Sequence, residues 1–90
     1  MKKDEELKAA VALGYKPQRD SAPKVKAKGR GFIAEKIIET AREYQIPIYE
    51  DPDLVQALMP LELEVEIPVE MYRAVAEVLA FIYQQNKPRS

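Results

Sequence analysis

Four groups of residues in this chain have types and spacings that can do chemistry. Lys26-Ala27-Lys28-Gly29-Arg30-Gly31 runs directly into an apolar-periodic segment, the order in which backbone N–H groups at a helix start can hold a phosphate. It lacks the Walker spacing with its Lys-Ser/Thr ending and is not a full Gly-x-Gly-x-x-Gly, so a strand-to-helix turn accounts for its glycines. Glu50, Asp51 and Asp53 offer carboxylates to a divalent cation but lack the spacing of a calcium loop, and helix capping uses Asp51 and Asp53 instead. Glu62, Glu64 and Glu66 would act as paired acid and base only if their surroundings split their pKa values, and nothing flanking them does so. Lys24, Lys26 and Lys28 form a basic stripe. No aromatic residue is interleaved and the pI is about 5.5, which argues against a nucleic-acid footprint.

The missing residue types narrow the chemistry further. Without cysteine there is no disulfide, thiolate metal site or cysteine nucleophile. Without histidine the commonest general base and the usual zinc ligand are absent. No catalytic residue, metal site or cofactor is expected. No apolar run reaches the roughly 18 residues of a membrane span, and Met1-Lys2-Lys3-Asp4-Glu5-Glu6 lacks the apolar core of a signal peptide. A cytoplasmic binding module with no membrane insertion and no nucleic-acid partner is the expectation. Charge is unevenly spread along the chain. Lys16 to Arg30 holds six basic residues against Asp20, whereas Glu43 to Glu77 holds nine acids against Arg73.

The elements that would position these residues are punctuated by proline and glycine. The 90 residues, 47% apolar and 32% charged, make one globular domain with too little volume for both a core and a large enclosed cavity. Asp4 to Leu13 reads either as a capped helix or, over Ala10 to Tyr15, as a short buried strand. Lys16 to Ala22 is a loop, and Pro23 to Lys28 alternates as a half-exposed strand ended by Gly29-Arg30-Gly31. A helix to about Gln45 carries Ile33, Ala34, Ile37, Ile38, Ala41 and Tyr44 on one face. Ile46 to Tyr49 reads as a returning strand, and Asp51-Pro52-Asp53 opens a short helix that stops at Pro60. Leu61 to Ile67 alternates as a strand should. Pro68 then opens the longest helix, Val69 to about Gln85, with a broad apolar stripe from Tyr72 to Tyr83. The fold class is therefore α/β: a single domain with a small mixed β-sheet of three to four strands surrounded by helices.

Five blocks in order give the chain a family resemblance. They are Ala10 to Tyr15, Ser21 to Gly29, Ile46 to Pro52, Leu54 to Leu58, and Ile67-Pro68 with Met71 to Ala80. Together they resemble the cytoplasmic C-terminal domain of the FlhB/YscU/SpaS family, whose flagellar member is a type III export protein. The resemblance divides the chain into a charged N-terminal segment 1–9, the family-like domain 10–86 and a tail 87–90. It favours the strand reading of Ala10 to Tyr15, and a turn rather than a strand over Leu61 to Ile67.

The resemblance also implies a function and its sites. Family members dock export substrates at a shallow apolar site whose matching positions here are Ala22, Pro23, Ala76 and Leu79. Core packing accounts for Ala76 and Leu79, one turn apart, equally well. Family members also carry membrane helices and an Asn-Pro-Thr-His motif, where the chain cleaves itself before the Ala-Val-Ala-Leu strand. Here the matching positions read Glu5-Glu6-Leu7-Lys8, without the amide that attacks or the proline that follows, so self-cleavage is not expected. The expected role is a soluble, non-enzymatic accessory of the flagellar export apparatus, peripheral at the export gate. Its partners would be export substrates, export-gate proteins and membrane-bound FlhB. The alternative is a general adaptor or regulator outside secretion. In family members a strand preceding the cut stays paired with the domain. A sheet edge at Ala10, Val11, Ala12 and Leu13, or on the neighbouring strand, is accordingly expected to take a partner strand, the alternatives being an N-terminal helix that covers the edge or two copies paired edge to edge.

Overall fold

A run of small apolar residues ending in glycine and an alternating lysine segment pair as an antiparallel hairpin in this computed structural model, which describes residues 8–85. Its strands are β1 (Ala9–Gly14) and β2 (Lys24–Arg30). The ambiguous segment from Ala10 is thus a strand. Segment 1–9 apart from Lys8 and Ala9, with the Asp4 cap and positions Glu5 to Leu7, lies outside the described residues, as does the tail 87–90.

Register runs from Ala9 opposite Arg30 to Gly14 opposite Lys24. It shifts between Ala12 and Leu13, whose partners are Ala27 and Val25, so Lys26 is the bulged residue. A β-carbon at Gly14 would lie 2.9 Å from Lys26 Cγ, so the glycine leaves room for the bulged side chain. β2 runs on past Lys28, where the sequence predicts its end. Gly29 is a strand residue whose added β-carbon would lie 2.1 Å from Ile33 Cγ2. The reversal itself falls at Gly31, with φ 58°.

Helix α1 (Phe32–Glu43) lies against both strands through buried Ala34 and half-buried Ile37, Ile38 and Ala41, while Ile33 and Tyr44 of the predicted stripe are exposed. Its end is closed by Ile46 N–H donating to Ala41 O (2.7 Å) and Gln45 N–H to Arg42 O (3.1 Å), with Gln45 left-handed at φ 59°. Helix α2 (Pro52–Leu58) is capped as its sequence predicts, Leu54 N–H donating to Asp51 Oδ1 at 3.1 Å. A 3₁₀ turn at Val69–Met71 leads into α3 (Tyr72–Gln85). Ala22, Leu58, Ile67 and Val75 form a buried cluster, with Val11, Leu13, Leu54 and Leu79 packed against it.

Two predicted strands are absent, so the described sheet has two antiparallel strands rather than three to four mixed ones. Ile46 to Tyr49 is irregular: Pro47 has no N–H to donate, and Tyr49 is instead set edge-on against Phe81 with ring centroids 5.1 Å apart. Leu61 to Ile67 keeps the alternation in its letters only. Glu64 turns left-handed at φ 66°, and the segment meets β2 at a single bridge, Lys24 to Glu66. Glu64 N–H donates to Val25 O and Ile67 N–H to Pro23 O, both at 2.9 Å, so the turn is fastened to β2 without extending the sheet.

Candidate functional site

Ala22, Pro23, Ala76 and Leu79 come together in one depression of about 190 Å³, whose walls also include Tyr15, Ser21, Tyr72 and Val75. The β1–β2 loop brings Ala22 and Pro23, and α3 brings Ala76 and Leu79. The loop's descent into β2 is fixed from outside. Ser21 N–H donates to Glu66 Oε2 at 3.1 Å, and Pro23 O accepts from Ile67. The depression has a floor and a rim. Ala22 and Val75 are 2% and 1% exposed and belong to the buried cluster, whereas Ala76 and Tyr72 are exposed. Leu79 is half-buried and serves both, packing on the core while lining the pocket. Such a surface offers apolar contact area and shape.

Across the same loop lies a polar groove of about 510 Å³, which the sequence reading missed. Lys16, Arg19, Lys24 and Lys26 line it together with Asp20 and Glu64, and Tyr15 stands in both walls. Asp20 braces the loop. Its carboxylate accepts from Lys16 N–H at 3.0 Å and pairs with Lys24 at 3.6 Å, while Lys16 O accepts from the N–H groups of Arg19 and Asp20. The Lys16 N–H, and after it the charge of Lys24, hold Asp20 below its ordinary pKa of 3.8. Lys26 pairs with Glu64 at 2.9 Å. Among the described residues Lys16 and Arg19 have no carboxylate within ion-pair distance.

The other candidates have structural work. Gly31 N–H, in the sequence that resembles a phosphate cradle, donates to Lys8 O at 2.8 Å. Glu64 and Glu66 hold Lys26 and Ser21, and Glu62 is exposed. The basic stripe does not act as one: Lys28 Nζ turns inward to the carbonyls of Met59 (2.9 Å) and Leu61, fastening the end of α2 to the sheet. Among the described residues no three Asp or Glu side chains gather as a metal site, and no helix is long and apolar enough to cross a membrane. Ala10, Val11, Ala12 and Leu13 lie on β1. That strand pairs with β2 on one edge, and no other described strand pairs with the opposite edge.

The model of the FlhB HrpN YscU SpaS family matches residues 7–82. The chain belongs to that family. It is 47% identical to the flagellar biosynthetic protein FlhB of Aquifex aeolicus (strain VF5) over 79 residues, covering 87% of this chain and 23% of FlhB. It is also 42% identical over 87 residues to YlqH of Bacillus subtilis (strain 168), a protein described as uncharacterized, covering 97% of this chain and 94% of YlqH. The chain therefore spans about a quarter of that FlhB and nearly the whole of YlqH. The crystal structure of the cytoplasmic domain of FlhB from Shewanella putrefaciens superimposes with a TM-score of 0.82 at 41% identity, over 90% of this chain and 66% of that one. The fold is thus the α/β domain that the family resemblance implies.

Proposed function

We propose that this FlhB-like domain is an accessory component of the flagellar type III export apparatus. It docks export substrates or export-gate proteins in the apolar pocket and does not cleave itself. The observation that supports this most is the convergence of Ala22, Pro23, Ala76 and Leu79, two pairs more than fifty positions apart, on one partly open pocket. It acts in the cytoplasm, at the face of the export gate, and needs no cofactor. Self-cleavage is left out because Glu5-Glu6 has neither a side-chain amide nor a following proline.

The test is expression in cells whose membrane FlhB lacks its cytoplasmic C-terminal domain. Restored motility, with the chain intact by mass spectrometry, is the expected result. Failure to restore motility at normal expression, with partners of other kinds co-purifying, would favour an adaptor outside secretion.

A second reading rests on β1. Its described pairing on one edge supports addition of a partner strand along Ala10 to Leu13, with the cytoplasmic stump of membrane-bound FlhB as donor. Hydrogen exchange of these amides should slow when a stump peptide is added. Unchanged protection at saturation would end the strand-addition reading.

A further inference from the structure

The pocket and the groove are two flanks of one loop. Tyr15 lines both, Lys16, Arg19 and Asp20 face the groove, and Ser21 to Pro23 face the pocket. We propose that they form one continuous site for an extended polypeptide segment that carries an apolar side chain next to acidic residues. The proposal rests on the reading of the pocket as a docking site and adds the chemistry of what docks there.

Charge complementarity selects that occupant. Four cations meet two carboxylates in the groove, and both carboxylates are already engaged, Asp20 by Lys24 and Glu64 by Lys26. The surplus sits on Lys16 and Arg19, exposed at the loop. The backbone that carries them is held by the Asp20 carboxylate and by two N–H groups donating to Lys16 O, so little further ordering is needed on binding. An apolar side chain in the pocket leaves its neighbours beside Tyr15, at the mouth of the groove. Acidic neighbours would be attracted there by the unpaired cations Lys16 and Arg19.

The experiment is an NMR titration of the full chain with two short acetylated peptides. Both carry a central Phe and Leu, flanked by Asp in one and by Asn in the other. Both should shift the resonances of Ala22, Ala76 and Leu79. The Asp peptide should also shift Lys16 and Arg19 and bind about 5–10-fold more tightly at low salt, an advantage that fades at high salt. The double variant Lys16→Gln/Arg19→Gln should lose that advantage and bind the Asn peptide as the wild type does. Equal affinities at low salt, with pocket shifts in both titrations, would overturn the continuous site and leave the docking reading standing. Groove shifts without pocket shifts would show two separate sites and also overturn it. If neither peptide shifts the pocket, the docking reading falls and this proposal with it.

Discussion

The apolar pocket and the basic groove share Tyr15 but are built from different material. The pocket's floor is the core itself: Ala22 and Val75 belong to the buried cluster, and Leu79 packs on it. The groove is a braced loop and one strand face, made of long side chains that the fold leaves exposed or half-buried. Substitutions in the pocket floor are therefore expected to disturb the fold, whereas Lys16 and Arg19, with no ion pair among the described residues, can be changed alone. A recognition surface that combines the two would take its position from the core and its selectivity from the loop.

The largest expected effect breaks the floor. Val75→Asp buries a carboxylate with no partner and should cost upward of about 3 kcal/mol, read as loss of the cooperative urea transition. A variant that still folds normally would show that the floor is not core. Next is Lys28→Met, which leaves the carbonyls of Met59 and Leu61 without their donor and should cost about 1–3 kcal/mol in the same measurement. No loss would mean that this third lysine is a solvated neighbour of Lys24 and Lys26.

A smaller effect isolates the groove's brace. The folded pKa of Asp20 lies below its ordinary 3.8, so the stability it supplies is present above that value and lost as pH falls through the depressed one. Asp20→Asn should therefore be less stable than wild type at neutral pH, with the difference shrinking below pH 3.8. A constant difference across the acid range would remove the charge from the explanation. The smallest change is expected from Lys16→Gln/Arg19→Gln, whose unfolding free energy should stay within about 0.5 kcal/mol of wild type. A larger loss would make these cations part of the fold.

The comparison also separates what the sequence makes legible from what it does not. Local signals were enough for the Asp51 cap, the Pro52 helix start and the alternation that makes β2, because each depends on neighbours within a few positions. The strand over Ala10 to Tyr15 needed the family resemblance, since small apolar residues suit a helix equally well. Leu61 to Ile67 misleads for a physical reason. Its alternation is ideal, but a strand exists through its ladder, and with Glu64 left-handed the segment makes a single bridge to β2, at Glu66. The four pocket positions came from the resemblance, while the partition into floor and rim required the packing of α3. The charge count marks Lys16 to Arg30 as basic, but Lys16 and Arg19 read as an ordinary loop, and only the fold sets them beside Lys24 and Lys26 in one groove. Lys28, in the same alternating stripe as those two, gives no sign in sequence that it turns inward.

Ala76 offers the most direct test of docking, because it is on the rim and exposed while the floor beneath it carries the fold. Ala76→Glu keeps a good helix former and should hold stability within about 0.5 kcal/mol of wild type. Calorimetric titration of a purified flagellar export substrate into both proteins is the decisive measurement. The wild type should bind, and the variant should bind at least about tenfold more weakly with its circular dichroism unchanged, as expected when a charge is placed in an apolar contact. Equal binding by the two proteins would contradict the pocket as the site of docking.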